Sequence, residues 1–333
     1  MILIITNKGD IHCNPVIKHL VDQNDEFFRL NTDSLLEDYE ISFWVKENVP
    51  ELKVCNKVNK KSFVSGSVKS VWERRPVSPN IIEFADPQVK SVLKEEVSEF
   101  IGWLRYYFSN CRSIGSSVWD RPNESKLRQM DIAGKIIKKK KLGIRIPTTL
   151  VTNTKAEMMK LTNNYSDIVV KPIGSDGIEL DDRLEMPFLT RKVPSDQFDA
   201  ISEKDINLCP TFMQNYIDKK YELRITVVGS EFFCCKIDSQ KLPEGRGKED
   251  WREGYDHGLP QSWISTPEEL VEFCSYYLES INSSFGCFDF INDNHGVYHF
   301  LECNPNGQWM WMEADIGIPI SEAIAKYLAF RAN

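Results

Sequence analysis

The chain has 333 residues, with 41 Lys or Arg against 49 Asp or Glu, so its formal net charge is −8. This acidic balance argues against a protein that binds nucleic acid or an anionic membrane, because both classes carry a basic excess. Apolar residues at 41% and charged residues at 27% are globular values, which predict two or three folded domains. No apolar run is long enough to span a bilayer, and nine cysteines without a Cys-x-x-Cys pair favour reduced thiols. We therefore expect a cytoplasmic protein.

The N-terminal third has the pattern of a parallel α/β unit. Residues 2–6 predict a buried strand, 14–22 a helix and 26–30 a second strand. A Gly-x-Gly-x-x-Gly motif is missing, so a dinucleotide site is only weakly supported. Over residues 86–109, apolar side chains recur every three or four positions, which predicts a helix with one buried stripe that includes Val89, Val92 and Leu93.

Two further segments shape the domain prediction. Trp72-x-Arg74-Arg75-Pro76 follows a short strand, and its arginines either lie in solvent or face a substrate. Small residues cluster near 115–125 and precede a predicted helix over residues 126–142, so a boundary is expected there. The resulting division is 1–118, 119–211 and 212–333.

Two features in the middle of the chain suggest nucleotide chemistry. A predicted buried strand delivers Lys171 into a loop with two glycines, which can present backbone N–H groups to phosphate or can be an ordinary strand exit. Further on, residues 213–217 precede a strand on which Glu222 and Arg224 share a face. Such a pair is either functional or only a local ion pair.

Two features near the C-terminus complete the set. Asp250-Trp251-Arg252 lies in a long polar segment, 243–258, of the kind that is more often functional or mobile than structural. Two apolar strands joined by a turn at 292–295 predict a hairpin. Acids inside apolar strands are costly unless they are paired or bind metal. Together with Asn304, Asp289 and Glu302 supply the oxygen ligands that suit Mg²⁺ on nucleotide phosphates.

The register of that hairpin decides whether the three ligands meet. Glu302 and Asn304 share a face because side chains alternate along a strand. Asp289 joins that face if the loop has an even number of unpaired residues, which pairs Asp289 with Tyr298, or if a bulge restores it. An odd loop without a bulge would turn Asp289 to the opposite face. We expect the shared face.

In this order the features resemble an ATP-grasp ligase and, within that superfamily, the microviridin-type peptide macrocyclases called graspetide synthetases. The motifs that carry the closer resemblance are Phe28-Arg29-Leu30-Asn31-Thr32-Asp33, Trp72-x-Arg74-Arg75-Pro76, Lys220-Tyr221-Glu222-Leu223-Arg224, Asp250-Trp251-Arg252 and Asn306-Gly307-Gln308-Trp309 with Glu313 beyond. The resemblance implies an α/β (α+β ATP-grasp) fold. A parallel N-terminal α/β domain would precede two subdomains that clamp ATP.

The resemblance also implies roles for individual residues, with ATP and one or two Mg²⁺ as cofactors. The implied ATP-binding residues are Lys126, Lys171, Gly174, Ser175, Gly177, Gln214, Asn215, Tyr216, Ile217 and Glu222. The implied metal ligands are Asp289, Glu302 and Asn304, the catalytic residues Arg224, Asp250 and Arg252, and the substrate-binding residues Arg74, Arg75 and Trp251. Many relatives carry an acid where this linker has Asn215, which favours Glu222 as the ribose ligand.

The activity implied by the resemblance is an ADP-forming macrocyclisation of a ribosomally made precursor peptide with a leader and a core. An Asp or Glu carboxylate of the core would become an acyl phosphate and then an ω-ester with Thr or Ser, or an ω-amide with Lys. Residues 181–193 are the expected leader surface, and relatives suggest a homodimer. Two alternatives stay open: an ATP-grasp ligase that forms a free amide bond, and an ATP-binding scaffold without catalysis.

Overall fold

The computed structural model describes residues 1–79, 86–115, 121–174, 177–181, 184–187, 189–243, 245 and 247–331. Side chains are described for these residues except 87, 121, 122, 177–181 and 184–187. Within those ranges, no helix combines the length and the apolar character that crossing a membrane requires.

The N-terminal part is a parallel α/β domain, as predicted. Its elements are β1 (Ile2–Thr6), α1 (Cys13–Asp22), β2 (Phe27–Asn31), α2 (Leu35–Asp38), β3 (Tyr39–Lys46), β4 (Val49–Asn56), β5 (Ser62–Val64), β6 (Ser70–Glu73), α3 (Pro87–Tyr107) and β7 (Arg112–Ile114). Strands β2, β1, β6 and β7 form one sheet in that order, and every neighbouring pair is parallel. Strands β3, β4 and β5 form a separate antiparallel sheet.

The predicted helix over 86–109 is present as α3, but its buried stripe is shorter than predicted. Val97, Ile101, Leu104 and Phe108 are buried against the N-terminal sheet. Val89, Val92 and Leu93 are exposed, so the prediction is wrong for the first turns of the helix. Periodicity defines the apolar face of a helix, but the length of the surface beneath it decides how much of that face is covered.

The central part is built on a four-stranded sheet. Its elements are α4 (Lys126–Lys140), β8 (Thr149–Thr152), α5 (Lys155–Thr162), β9 (Asp167–Lys171), β10 (Gly177–Asp181), β11 (Leu184–Pro187), β12 (Arg191–Pro194), α6 (Glu203–Ile206) and β13 (Thr211–Asn215). The sheet order is β12, β9, β13, β8, and β10 with β11 forms a separate two-stranded ribbon. Because β13 belongs to this sheet, the predicted boundary between residues 211 and 212 cuts a strand and has to move past Asn215.

The C-terminal part is a five-stranded antiparallel sheet with helices. Its elements are β14 (Lys219–Val228), β15 (Glu231–Ile237), β16 (Gln261–Ile264), α7 (Glu268–Ser280), β17 (Phe285–Asp293), β18 (Tyr298–Asn304), α8 (Met310–Ile316) and α9 (Ile320–Leu328). The sheet order is β16, β15, β14, β17, β18. The predicted hairpin is present as β17 and β18, which pair antiparallel.

Two helices pack outside the part of the chain in which they lie. Helix α4 packs against α7 and β18 of the C-terminal part, so it is not a structural unit with the central sheet. Helix α9 packs against α1 and shares a core cluster with Ile2 and Ile4 of β1. On the other face of the same strand, Leu3 and Ile5 pack with α3. The N-terminal sheet is thus covered on one face by the last helix of the chain.

Candidate functional site

A cleft of about 880 Å³ lies between the central and C-terminal sheets. Most of the predicted site residues line it: Arg75, Lys126, Lys171, Gln214, Asn215, Tyr216, Ile217, Glu222, Arg224, Asp250, Trp251, Arg252, Asp289, Glu302 and Asn304. Arg74 and Gly174 are not among its lining residues. Ser175 lies outside the described residues, and Gly177 is described only as the first residue of β10.

Three charged side chains form one row across three adjacent strands at this cleft. Arg224 of β14 lies directly opposite Asp289 of β17, and Asp289 lies directly opposite Glu302 of β18. In the next row, Asn304 lies opposite Cys287. Asp289, Glu302 and Asn304 are therefore on one face, as the sequence analysis expected.

A bulge in the hairpin produces this alignment. At the turn, Asn292 pairs with Tyr298 and Phe290 with Phe300, so the predicted pairing of Asp289 with Tyr298 is wrong. Continued without interruption, that register would place Asp289 opposite Leu301. Leu301 is instead an extra residue in β18, and the register shifts by one so that Asp289 meets Glu302. The bulge was the second of the two predicted routes to a shared face.

The row holds one buried ion pair and one close pair of like charges. Arg224 Nη1 donates to Asp289 Oδ2 at 2.6 Å. Burial by itself lowers the pKa of the Arg224 guanidinium, but Asp289 beside it raises that pKa above its ordinary value. Burial raises the pKa of the Asp289 carboxyl; Arg224 opposes this rise and Glu302 adds to it. The carboxylates of Asp289 and Glu302 therefore repel each other, and a bound cation would reduce that repulsion.

The three predicted metal ligands fit a divalent cation that also binds phosphate. The Glu302 carboxylate faces the cleft, and no described residue makes a hydrogen bond or ion pair with it. Asn304 Oδ1 accepts from Asn306 N at 2.9 Å and keeps a second lone pair. Among the described residues, no group of three or more His, Cys, Asp or Glu side chains forms a metal cluster. Two carboxylates and one amide leave coordination positions for phosphate oxygens and water, which Mg²⁺ prefers.

The two predicted phosphate lysines reach the cleft from different elements. Lys126 begins α4, whose first turn is capped by the Ser125 hydroxyl. Its Nζ donates to Pro172 O at 2.8 Å, immediately after β9. Lys171 ends β9, and burial lowers the pKa of its ammonium while Glu302 opposes that change. A phosphate group between the lysines would relieve the repulsion of Lys171 by Lys126.

The linker between the two sheets is held by its amide side chains. Gln214 Nε2 donates to Thr149 Oγ1 at 2.9 Å, and Asn215 Oδ1 accepts from Thr148 N at 2.7 Å. Both side chains therefore tie β13 to the region of β8. Tyr216 and Ile217 lie next to them on the cleft wall. Two backbone groups of the linker are paired as well, since Asn215 N donates to Thr148 O at 3.1 Å and Tyr216 N donates to Asp167 O at 3.0 Å.

Glu222 forms an ion pair, but not with Arg224. Its Oε1 lies 2.6 Å from Lys219 Nζ, and Lys219 also donates to Glu249 O at 2.9 Å. Burial raises the pKa of the Glu222 carboxyl, and Lys219 opposes that rise. The local Glu222–Arg224 pair that was left open is therefore wrong. Lys219 is a lining residue that the sequence analysis missed, although its position three residues before Glu222 was a usable signal.

The Asp250-Trp251-Arg252 segment joins the C-terminal part to the central part. The Asp250 carboxylate is buried and accepts from Arg252 Nε at 2.8 Å and from Thr190 N at 3.1 Å. Burial by itself raises the pKa of the Asp250 carboxyl, but the Arg252 guanidinium holds it below its usual range. Nearby, Arg191 Nη1 lies 3.1 Å from Glu253 Oε1. Both predicted catalytic groups of this segment are thus engaged with each other here.

Around this segment the cleft is lined by aromatic side chains. Trp251 lies 5.1 Å from Trp311 and 5.6 Å from Tyr255, measured between ring centroids, and all three line the cleft. Trp311 and Tyr255 were not predicted, although Tyr255 lies in the polar segment 243–258 and Trp311 lies between Trp309 and Glu313. Of the expected leader surface, 181–193, residues 182, 183 and 188 lie outside the described residues, and the remainder contributes β11 and β12.

The two predicted arginines of the N-terminal domain have different surroundings. Arg75 is exposed and lines the cleft. Arg74 is 1% exposed, and its Nη1 donates to Asn306 O at 2.5 Å and to Gly307 O at 3.2 Å. Direct substrate binding by Arg74 is therefore wrong for this structure, because a guanidinium buried against backbone carbonyls cannot meet a peptide in the cleft.

The chain is similar to known proteins at its N-terminus and over its whole length. Residues 1–107 match the family model described as the MvdD pre-ATP grasp domain. The structure superimposes with a TM-score of 0.87 on the RiPP-associated ATP-grasp ligase of Chryseobacterium gregarium in complex with ADP and a leader and core peptide. The two are 26% identical, over 100% of this chain and 97% of that one. A comparison with curated proteins finds no match.

Two further solved structures share the fold. Macrocyclase MdnC of Microcystis aeruginosa MRC, bound with precursor peptide MdnA, superimposes with a TM-score of 0.81 at 24% identity over 100% of both chains. Macrocyclase MdnB of the same organism gives 0.74 at 25% identity over 99% of each chain. The ATP-grasp fold and the resemblance to ATP-grasp ligases of the microviridin type, both predicted from motifs, are confirmed.

Proposed function

We propose that this chain is an ATP-dependent peptide macrocyclase that activates Asp or Glu side chains of a ribosomally made precursor and joins them to Thr or Ser hydroxyls, or to Lys amines. The observation that carries the proposal is the row Arg224, Asp289 and Glu302 at a cleft that Lys126 and Lys171 also line. The similarity to the Chryseobacterium ligase, which is in complex with ADP and a leader and core peptide, supports it.

The chemistry needs the groups that this cleft contains. A carboxylate is a poor electrophile, so its oxygen first attacks the γ-phosphate of ATP, and ADP leaves as the acyl phosphate forms. The phosphoryl group in transfer carries negative charge on its oxygens, which cations must neutralise. Lys126 and Lys171 would hold the α- and β-phosphates, and Arg224 would face the γ-phosphate and the incoming carboxylate. Mg²⁺ held by Asp289, Glu302 and Asn304 would neutralise phosphate charge.

In the second half-reaction the hydroxyl or amine of the same peptide attacks the acyl carbon, and inorganic phosphate leaves. The attacking group has to lose a proton, for which Asp250 is the proposed acceptor. Here Asp250 is hydrogen-bonded to Arg252. We therefore propose that Arg252 exchanges Asp250 for the carboxylate of the core peptide, which frees Asp250 to act as a base. Arg252 is suited to this exchange because its side chain is half exposed.

Peptide rather than free amino acid is the favoured substrate because a cluster of three aromatic side chains lines the cleft. Trp251, Tyr255 and Trp311 offer a surface on which a peptide segment can lie. The leader would bind separately, on the described part of residues 181–193. An ATP-grasp ligase that adds an amino acid through a free amide bond uses the same acyl phosphate. The mass of the product distinguishes this alternative from the macrocyclase.

The test uses the wild-type protein with ATP, Mg²⁺, a mixture of free amino acids and short peptides rich in Thr and Asp or Glu that are encoded beside its gene. Mass spectrometry should show the loss of one water for each ring, with one ADP released per ring. A peptide that gains the mass of a residue would identify the amide ligase, and ATP consumption without product would contradict both activities. Mild alkali then separates the linkages, because hydroxide opens an ester ring and restores the lost water but leaves an amide intact.

Arg224→Ala provides the control for the phosphoryl-transfer site. It should abolish ring formation because the cation that faces the γ-phosphate is lost, while peptide binding measured by fluorescence anisotropy stays close to that of the wild type. A wild-type ring yield from this variant would remove Arg224 from the mechanism.

A further inference from the structure

A buried arginine of the N-terminal domain contacts the loop that follows the predicted metal ligand Asn304. The Arg74 guanidinium is 1% exposed, and it lies 4.9 Å from the ring centroid of Trp309. Its Nη1 donates to the carbonyl oxygens of Asn306 and Gly307, and its Nε lies 3.3 Å from Asp10 Oδ2. A charged group buried in this way is costly unless its partners are fixed.

One of the two peptide units that Arg74 holds also contacts Asn304, and the peptide unit before it orients the Asn304 side chain. The N–H of Gly307 donates to Asn304 O at 3.2 Å, and this N–H belongs to the same peptide unit as the Asn306 carbonyl that Arg74 binds. The N–H of Asn306 donates to Asn304 Oδ1 at 2.9 Å, which orients the side-chain amide. Both hydrogen bonds depend on the orientation of a loop that the N-terminal domain fixes.

The same loop also contacts Arg224. Arg224 Nη2 donates to Gln308 O at 3.4 Å, and a Cβ at Gly307 would lie 3.1 Å from that Nη2 and 2.5 Å from Cys287 Cβ. The loop is therefore in close contact with the strand row that carries Arg224 and Asp289. On its far side, Trp309 Nε1 donates to Ser321 Oγ at 3.1 Å. Residues 305–308 are thus held between Arg74 on one side and the proposed reaction centre on the other.

We propose that Arg74 is a positioning residue, which fixes the 305–308 loop and thereby holds Asn304 and Arg224 in the geometry that phosphoryl transfer needs. This inference rests on the proposed function for its catalytic consequence, but the ordering of the loop can be measured without any reaction. It gives the N-terminal domain a role in the chemistry of the cleft, although Arg74 does not line that cleft.

The first test measures backbone hydrogen exchange in the ligand-free protein. In Arg74→Met the amides of residues 306 and 307 should exchange roughly ten- to hundredfold faster than in the wild type, because hydrogen bonds to a charged donor are lost. Arg74→Lys, which keeps a charged donor, should restore part of the protection. The matched control is Arg105→Met, which removes a mostly buried arginine whose Nε lies 2.6 Å from Glu73 Oε2 at the end of β6. It should leave the exchange of these amides unchanged.

The second test separates kcat from KM in ATP turnover. Arg74→Met should lower kcat at least tenfold and change KM for ATP less than about threefold, because the lysines and the linker are not altered. If Arg74→Met does not fold, the double variant Asp10→Asn with Arg74→Met, which also removes the buried charge that Arg74 faced, takes its place in both tests.

Unchanged exchange at residues 306 and 307 in a folded Arg74 variant would overturn the inference, as would equal acceleration in Arg105→Met. A wild-type protein without any ATP turnover would instead contradict the proposed function. In that case the exchange experiment still decides whether Arg74 orders the loop.

Discussion

Two isosteric substitutions test the carboxylates of the strand row. Glu302→Gln and Asp289→Asn each remove one negative charge with little change in volume. Both should lower ATP turnover by about a hundredfold or more, because each removes a ligand charge from the proposed Mg²⁺ site. Their effects on stability should differ, because the two side chains have different partners in the folded protein.

The structure sets the size of each stability change. Glu302 lies directly opposite Asp289, and like charges opposite each other across two strands cost roughly 0.2–1 kcal/mol. Glu302→Gln removes this repulsion but also the attraction between Glu302 and Lys171, so it should change the stability of the metal-free protein by no more than about 1 kcal/mol. Asp289→Asn removes the charge that lies 2.6 Å from the buried Arg224. An uncompensated buried charge costs on the order of 3 kcal/mol, so this variant should be less stable than the wild type.

Thermal unfolding without nucleotide or metal measures the stability difference, and ADP release measures turnover. The expected result is an unchanged or slightly shifted melting temperature for Glu302→Gln and a drop of several degrees for Asp289→Asn, with turnover lost in both. If Glu302→Gln unfolds, or cyclises peptide at a normal rate, Glu302 is a structural acid and the metal site is misassigned. If both variants melt at the same temperature, loss of the Arg224–Asp289 pair does not cost on the order of 3 kcal/mol.

Three other predictions concern the segment of Asp250 and Arg252, the close contact at Gly307, and the turn that contains Asp293. Asp250→Asn and Arg252→Ala should slow cyclisation more than they weaken nucleotide affinity in calorimetry; lost affinity with normal cyclisation at saturating ATP would contradict the peptide-facing role of the segment. Gly307→Ala should lower the melting temperature and turnover together, since the new methyl would overlap the fully buried Cys287, whose atoms would lie 2.5 Å away; a wild-type melting temperature would show that the loop can shift. Asp293 accepts hydrogen bonds from two backbone N–H groups of the turn and pairs with a histidine, and although burial opposes them, the pKa of its carboxyl is lowered. Its stabilising effect is therefore complete above the unfolded pKa of about 4 and is lost as pH falls through the folded pKa, so the stability gap between wild type and Asp293→Ala should shrink as pH falls below about 4.

Local sequence patterns were sufficient to predict several secondary-structure elements and the type of side chain proposed for the cation site. Short apolar runs next to turn residues identified β1, β17 and β18, because a buried strand needs apolar side chains on both faces wherever it packs. Carboxylates inside apolar strands indicated a cation site, because the cost of burying them does not depend on the fold. The ordered motifs then supported the ATP-grasp fold, which the structural similarity confirms.

Register and long-range partners were decided by the tertiary structure. Asp289 reaches Glu302 through one extra residue, Leu301, and a bulge of one residue leaves no mark in the apolar pattern of a strand. The partner of Glu222 is Lys219 and that of Arg224 is Asp289, although the sequence places Glu222 and Arg224 two residues apart.

By itself the sequence predicted several of the strands and helices and proposed side chains for phosphate and Mg²⁺, because those patterns depend on neighbours within a few residues. Only the tertiary structure decided that Arg74 is buried against the loop after Asn304, across 232 positions of chain. It also decided that α4 packs on the C-terminal part and that the first turns of α3 are exposed. The reason is the same in each case. Burial and pairing depend on surfaces from distant segments, and a pattern within one segment carries no information about which of those surfaces will cover it.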